Sequence, residues 1–308
     1  MIKRVILIFT IFFTISVYAQ QEPLFTQYYV NDMALNPAIA GSKVYNPLTI
    51  QNRQQWLGFE GAPFTSNISY HGTLDGRSAL GGYLMFDQTY PAIQAHLQLN
   101  YAYHVPLDYK NVNISFGLGA KIKYYNLDFK QEDLPPGQDN AFDDKSFDKT
   151  LTDASSGVYF YGKNFYSGFS VSNMFQASFN PHIQNSPYFN SEYRKYYGIG
   201  AYRLGIINND WHIEPSFLIR KMQYQPSIVD FSTRIFYLDD TWTGLTYRNN
   251  GTVILGLGFA ANNLHVSYSY DHNFQGDMMQ YSYGTHEIGI TIRFKTLASQ
   301  RHIGFWPY

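Results

Sequence analysis

Strict alternation of apolar and polar residues recurs along most of this chain, and it limits what the chain can fold into. In residues 92–105 one face is apolar or aromatic, and in residues 112–124 the same pattern returns with Asn, Ser, Gly and Lys on the opposite face. Further stretches begin near residues 229, 253, 264 and 288. Because the side chains of a β-strand point alternately to two faces, each stretch predicts a strand with one apolar and one polar face. The sequence therefore predicts an all-β protein.

The length of these stretches and their mild polar faces favour a transmembrane barrel. They run about 9–13 residues, and a tilted strand needs about 9–11 residues to cross a bilayer. Aromatic residues make up 18% of the chain and charged residues only 15%, whereas an average soluble domain has roughly 25% charged residues. Aromatic residues crowd the predicted strand ends, where outer-membrane barrels have interfacial girdles. A secreted soluble β-protein is the alternative.

The connections between the predicted strands also indicate a barrel. Every second connection is a tight turn rich in Asn, Asp and Lys, and the long connections 127–153, 174–192 and 272–285 all have the opposite parity. Outer-membrane barrels have short periplasmic turns and long external loops. We therefore expect an outer-membrane antiparallel barrel over residues 48–294, with both termini in the periplasm and about 14 strands, a count defined only to within two. The predicted strands are 48–56, 65–73, 78–87, 92–105, 112–126, 154–162, 165–173, 193–207, 211–222, 227–237, 241–248, 251–260, 264–271 and 286–294.

Three segments lie outside this predicted barrel. Residues 1–19 have the pattern of a secretory signal peptide, with a positively charged start, an apolar run and small residues at the end. The run of about 13 apolar residues is too short to span a bilayer of about 30 Å, so we expect cleavage before Gln20. Residues 20–47 are then an N-terminal segment at the periplasmic mouth or inside the lumen as a plug. Residues 295–308 form a periplasmic tail, either disordered or docked on a periplasmic partner.

The sequence contains no recognisable catalytic or metal-binding constellation. The absence of cysteine excludes disulfides, thiolate metal sites and Cys nucleophiles. There is no nucleophile elbow, paired-histidine zinc helix or phosphate-binding Gly loop, and the acidic loop 139–144 lacks the spacing of a calcium loop. The net charge of −1 gives no reason to expect nucleic acid. We expect no catalytic residue, no cofactor and no metal, and hence a protein that is not an enzyme.

Charged residues of both signs lie on the polar faces and would line the lumen of the barrel. A selective pore more often has a ring of one sign. A cross-paired interior is therefore favoured over an ion-selective path, and both stay open. The predicted lumenal charges are Lys121, Lys123, Glu214, Arg220, Asp230, Arg234, Arg248, Asp271, Glu287 and Arg293.

The stretch from Phe25 to Pro63 has the most distinctive spacing in the chain, and it resembles the PorP/SprF family of type IX secretion system membrane proteins. Members show a QY-(F/Y)-x-N segment, an NPA-x-AGS turn, an R-x-QW-x-G-x-x-G-x-P run and a late SHEI-like motif. All four are present here, with Thr285 where Ser is commoner. The motif residues that we expect to have a structural or partner-binding role are Asn36, Pro37, Gly41, Arg53, Trp56, Gly58, Pro63, His286 and Glu287.

This resemblance implies an outer-membrane barrel that is not an enzyme. Members of the family belong to the secretion machinery, or they help to export and anchor large secreted proteins, including gliding adhesins. The implied partners are a large type IX-secreted surface protein or adhesin, periplasmic components of the secretion system and outer-membrane lipid. The alternative function is a passive, porin-like diffusion channel, because about fourteen strands can enclose an open lumen.

Four of the motif residues also suggest a structural hypothesis. We expect Asn36, Gly41, Arg53 and Trp56 to tie the N-terminal segment to the barrel wall. Arg53 then belongs to the lumenal face, and its two polar neighbours in the chain face lipid unless a bulge or a short strand relieves them. The alternative is that these residues only help the barrel to fold.

Overall fold

The computed structural model is a closed antiparallel barrel, and it describes residues 25–107, 112–128, 146–177, 192–207, 210–223, 225–274 and 281–295. Neighbouring strands pair in chain order, and the first strand closes the ring by pairing with the last. The strands are β1 Tyr45–Gln54, β2 Phe64–Thr73, β3 Ser78–Thr89, β4 Ala92–Leu107, β5 Val112–Asp128, β6 Ser146–Tyr161, β7 Phe165–Ser172, β8 Lys195–Tyr202, β9 Leu204–Ile207, β10 Trp211–Met222, β11 Ile228–Tyr237, β12 Thr241–Arg248, β13 Thr252–Ala261, β14 Leu264–Asn273 and β15 Thr285–Lys295.

The wall of the barrel has fourteen strand positions, because β8 and β9 are two parts of one. Both pair with β10, and the ring continues from β7 through β8 to β10. The break falls at Arg203, whose side chain is only 1% exposed and bonds Glu214 inside the barrel. The predicted strand 193–207 is therefore present but interrupted, and the predicted fourteen-stranded barrel is confirmed.

The two faces of the wall are opposite to those of a soluble barrel. On β4 the inward residues His96, Gln98 and Asn100 are buried, while the outward residues Leu97 and Leu99 are 44% and 62% exposed. An apolar outer surface suits hydrocarbon, since lipid makes no hydrogen bonds to polar groups. Among the described residues no helix is long and apolar enough to cross a membrane. The all-β transmembrane fold expected from the alternation is thus present.

Some strand boundaries differ from those predicted. β1 begins at Tyr45 and not at 48, because Tyr45 already pairs with Lys295 at the end of β15. β6 begins at Ser146 and not at 154, because its pairing with β5 continues as far as Asp128. The predicted signal peptide, residues 20–24, the acidic loop 139–144 and the tail from residue 296 lie outside the described residues.

The connections divide the barrel into two unlike mouths. At the mouth where β1 begins and β15 ends, the connections have two to four residues, and we call it the short-connection mouth. The opposite end is the long-connection mouth. Its connections are 55–63, 90–91, 129–145, 173–194, 223–227, 249–251 and 274–284.

Residues 25–44, which we call the lumenal segment, run through the inside of the barrel. The segment has two short 3-10 helices, η1 Asp32–Ala34 and η2 Pro37–Ile39. Met33 and Ile39 are completely buried and form the centre of a hydrophobic core enclosed by the polar wall. Residues 25–44 lie in the lumen, and a role as a plug for the whole of residues 20–47 stays a prediction.

The two ends of the described chain do not lie at the same mouth. Thr26 hydrogen-bonds Glu287, which lies near the start of β15 at the long-connection mouth. The other end, Lys295, lies at the short-connection mouth beside Tyr45. The lumenal segment crosses the barrel before β1 begins, and the expectation that both termini of the chain lie in the periplasm stays a prediction, because residues 1–24 and 296–308 lie outside the described residues.

Candidate functional site

The candidate site is the lumenal segment together with the wall residues that hold it. A cluster of three charged side chains binds the first residues of the segment. Arg53 Nη2 lies 2.8 Å from Asp271 Oδ2, and Arg53 Nη1 lies 3.2 Å from Glu287 Oε2. Their side chains are at most 7% exposed. We call these three residues the acidic triad, because two carboxylates surround one guanidinium.

The acidic triad binds the backbone of the lumenal segment as well as its side chains. The backbone N–H groups of Thr26 and Gln27 donate to the two carboxylate oxygens of Glu287, at 2.7 and 3.0 Å. The Thr26 hydroxyl donates to Asp271 at 2.8 Å, and it also accepts a hydrogen bond from Arg53. Hydrogen bonds to ionised groups are stronger than neutral ones, so this contact anchors the start of the segment.

Gln27 also bridges the two strands that close the barrel. Its side-chain Nε2 donates to the backbone oxygen of Glu287 on β15, at 3.1 Å. Its own backbone oxygen accepts from Gln51 Nε2 on β1, also at 3.1 Å, and Gln51 reaches the Glu287 carboxylate too. The segment is therefore bound directly across the β1–β15 junction.

A second triad of opposite charge lies in the same wall. Asp230 accepts from Arg220 at 2.8 Å and from Arg248 at 2.7 and 3.0 Å. Two guanidiniums on one carboxylate leave a formal charge of +1, against −1 for the acidic triad. The formal charges of the two triads are therefore equal and opposite. The lumen is thus cross-paired and has no ring of one sign among the described residues.

Two tyrosines lie in the middle of the lumen beside a third buried ion cluster, in which Arg203 and Arg234 both bond Glu214. Tyr29 lies under the guanidinium of Arg234, 3.8 Å from ring centroid to Cζ, and edge-on to Trp242 at 5.2 Å. The hydroxyl of Tyr28 lies 2.9 Å from Ser216 Oγ.

The Asn-Pro-Ala turn of the segment is fixed by the side chain of Asn36. Its Oδ1 accepts from the backbone N–H of Ala38 at 3.0 Å, which caps η2. Its Nδ2 donates to the carbonyl oxygens of Val158 and Phe169, at 3.0 and 3.4 Å. Pro37 follows at the first helical position, where its missing N–H costs nothing. One side chain therefore both shapes the turn and attaches it to β6 and β7.

Two glycines, Gly117 and Gly157, lie in the wall opposite this turn. A Cβ on Gly117 of β5 would stand 2.1 Å from the backbone nitrogen of Ala38, and one on Gly157 of β6 would stand 2.0 Å from Asn36 Oδ1. These distances leave no room for any side chain. The two glycines form what we call the glycine seat, on which the turn rests backbone to wall.

Gly41 lies near the end of the segment, close to the short-connection mouth. Its φ of +72° is a conformation that favours glycine, and a Cβ there would stand 2.3 Å from Ala79 Cβ. Its N–H donates to His71 Nδ1 at 3.0 Å. Within the segment, Lys43 pairs with Asp32 at 2.6 Å, which neutralises both charges in the lumen.

The remaining motif residues lie outside the lumen, in and around the connection 55–63. The N–H of Trp56 donates to Thr285 Oγ1 at 3.3 Å, not to the lumenal segment. A Cβ on Gly58 would stand 2.8 Å from the ring of Tyr283, and the carbonyl of Pro63 accepts from Gln55 at 2.9 Å. These residues shape the long-connection mouth.

His286 and Glu287 follow each other in the chain but face opposite ways. His286 lies on the outer side, with Nδ1 2.6 Å from the hydroxyl of Tyr268 and Nε2 3.1 Å from the carbonyl of Tyr283. Glu287 faces the lumen. Of the nine motif residues, the structure brings Asn36, Pro37, Gly41, Arg53 and Glu287 to the lumenal segment, and leaves the other four at the long-connection mouth.

Sequence reasoning missed several residues of this site. No sequence pattern singled out Thr26, because a threonine before the first strand can have many roles. Gly117 and Gly157 do interrupt the polar faces of their strands, and a glycine where a polar side chain is expected can indicate close approach of another backbone. In the described part of the chain, no group of three or more His, Cys, Asp or Glu residues could hold a metal ion.

Comparisons with known proteins fit this geometry. A family model described as type IX secretion system membrane protein PorP/SprF matches residues 17–292. No curated protein sequence matches the chain. Among solved structures, the CymD monoaromatic hydrocarbon channel is 12% identical, with a TM-score of 0.51 over 86% of this chain and 93% of that one. The outer membrane protein Omp33 of Acinetobacter baumannii is 9% identical, with a TM-score of 0.42 over 83% and 99% of the two chains. At 12% identity the likeness to the CymD channel shows the barrel fold alone.

Proposed function

We propose that this chain, which belongs to the PorP/SprF family of type IX secretion system membrane proteins, is a non-enzymatic binding barrel of the outer membrane. It binds, anchors or assists the export of a large secreted surface protein, such as an adhesin of the gliding machinery, and it contacts periplasmic components of the secretion system. The observation that supports binding over transport is the lumenal segment, which runs through the lumen from one mouth to the other.

Passive transport needs a water-filled path, and the described lumen offers little room for one. The segment buries Met33 and Ile39 completely, and the acidic triad is hydrogen-bonded to its first residues. A cavity of about 10 Å³ lies between Tyr29, Asp32 and Lys43, which is the size of one water molecule. A barrel whose lumen holds such a segment is better suited to bind partner proteins at its two mouths than to let solutes through.

We further propose that the two mouths face different partners. Outer-membrane barrels place short turns in the periplasm and long loops outside. On that basis the short-connection mouth meets periplasmic secretion components, and the long-connection mouth meets the secreted protein. The residues Trp56, Gly58, Pro63 and His286 then support the outer surface.

Affinity purification from the outer membrane tests this function. The protein, extracted in detergent with its lipid, is expected to bring down one large type IX-secreted protein and periplasmic secretion components, identified by mass spectrometry. Deleting the gene is expected to remove that protein from the cell surface. An unchanged surface proteome after deletion would contradict the proposal.

Planar-bilayer recording distinguishes this function from the passive diffusion channel. The intact protein is expected to give no stable conductance, because the segment occupies the lumen. A variant that lacks residues 25–44 is expected to conduct, provided it still shows the heat-modifiable migration of a folded barrel. Stable conductance of the intact protein would favour the channel.

A further inference from the structure

The lumenal segment has a direction, and this direction is set by its contacts with the wall. Its first described residues lie at the acidic triad. Glu287, which binds the backbone of Thr26, is eight residues from Lys295 at the short-connection mouth. At about 3.3 Å per residue, this places Thr26 roughly 26 Å along the strand from that mouth.

Later residues of the segment meet the wall at successively lower levels. Asn31 bonds Asn67 at 2.8 Å and accepts from Ser69 at 3.0 Å, in the middle of β2. Further on, Gly41 bonds His71, two residues before the short-connection end of the same strand. The segment therefore descends steadily from the long-connection mouth to the start of β1.

The lumen beside the start of the segment is already filled. Thr26, Gln27, Tyr28 and Tyr29 are all buried, at 1%, 0%, 3% and 8% exposure, whereas Phe25 is partly exposed. A second passage of the chain back to the short-connection mouth would have to displace these side chains from the acidic triad and from Trp242.

We propose that the chain enters the lumen from the long-connection mouth, so that Phe25, its first described residue, is accessible from the side of the long connections. The segment then spans the whole barrel, and the acidic triad holds it where it enters. A partner on that side meets the N-terminal end of the barrel together with the long connections. The inference rests on the proposed function only for which mouth is outside the cell.

Matched epitope insertions test the direction. One short epitope is placed between Leu24 and Phe25, a second between Phe59 and Glu60 at the long-connection mouth, and a third after Gly76 at the short-connection mouth. Antibody binding is measured on intact cells, after permeabilisation of the outer membrane and after denaturation. Only variants with heat-modifiable migration are compared.

The epitope before Phe25 is expected to behave like the one at Phe59, with binding on intact cells, while the one at Gly76 is bound only after permeabilisation. Grouping with the Gly76 epitope, or binding only after denaturation, would overturn the inference. If the Phe59 epitope is hidden on intact cells and the Gly76 epitope is exposed, the proposed orientation in the membrane fails. The direction of the lumenal segment is still decided by which of these two epitopes the one before Phe25 resembles.

A second variant covers the case in which the insertion before Phe25 prevents folding. The chain has no cysteine, so Phe25→Cys carries one thiol for a membrane-impermeant maleimide. Glu60→Cys and Gly76→Cys serve as references for the two mouths. Labelling of Phe25→Cys on the same side as Glu60→Cys supports the inference. Labelling on the Gly76 side, or only after denaturation, contradicts it.

Discussion

Replacing Arg53 with alanine should release the start of the lumenal segment from the wall. The substitution leaves Asp271 and Glu287 without their shared cation, although both side chains are at most 4% exposed. Removing one partner of a buried ion pair typically costs about 3–5 kcal/mol. Since about 1.4 kcal/mol is a factor of ten, the open population of the segment should rise between about 100-fold and a few thousand-fold.

The opening can be measured as thiol accessibility, because the native chain offers no competing cysteine. Met33→Cys places a reporter six residues beyond Gln27, at a position that is completely buried while the segment is docked. When opening and closing are fast, the rate of modification by a small thiol reagent follows the open population. The Arg53→Ala variant should therefore label at least about 100-fold faster than the reporter alone, by the same ion-pair estimate.

Arg220→Ala, made with the same reporter, is the matched control. Arg220 and Arg53 are both 6% exposed, but Arg220 pairs with Asp230, which keeps Arg248 as a partner. This control should leave labelling of the reporter nearly unchanged. Equal rates in Arg53→Ala and Arg220→Ala would refute the argument that the acidic triad holds the segment.

Three further substitutions test the rest of the segment with the same reporter or by thermal unfolding. Gly117→Ala should displace the turn from the glycine seat, because the new methyl group would stand 2.1 Å from a backbone nitrogen of the segment. The control Gly198→Ala should behave as wild type, because the nearest neighbour of its methyl group would be 3.9 Å away. Equal labelling rates of the two variants would contradict the role of the glycine seat. Asn36→Ala removes a helix cap and should lower the stability of the docked segment by about 1–2 kcal/mol, seen as a lower melting temperature of the purified barrel, and an unchanged melting temperature would count against the cap. Lys43→Met leaves the buried carboxylate of Asp32 without its cation. It should therefore lower the melting temperature more than the double variant Lys43→Met/Asp32→Asn does. Equal melting temperatures would show that the ion pair contributes nothing to stability.

The sequence predicted the wall of the barrel well, because hydrophobic alternation reports which face meets lipid. In β4, His96 and Leu97 already differ in the sequence as they do in the structure. Alternation says less about where pairing stops. Tyr45 begins β1 because it pairs with Lys295, 250 residues away, and the polar start of β6 at Ser146 pairs with β5 where no apolar face is needed.

The candidate site was predictable only in part, for a similar reason. Arg53 and Glu287 were named from a resemblance, but their contact joins residues that are 234 positions apart. A single sequence does not show which residues so far apart in the chain come together in space. The expected tie of Trp56 to the lumenal segment stays a prediction, since the contact described for this residue is that of its backbone N–H with Thr285 at the long-connection mouth. The direction of the segment could not be predicted at all, since it depends on which level of the wall Thr26 contacts.

The position of Glu287 has a consequence for how the molecule is completed. The residues that this carboxylate binds, Thr26 and Gln27, come before every strand, whereas Glu287 belongs to the last strand, about 260 positions later. The beginning of the chain therefore lacks the Glu287 part of its binding site until its final strand has joined the first. Complete docking of Thr26 and Gln27 signals that the ring is closed, and a barrel that stalls one strand short leaves their two backbone N–H groups without this carboxylate.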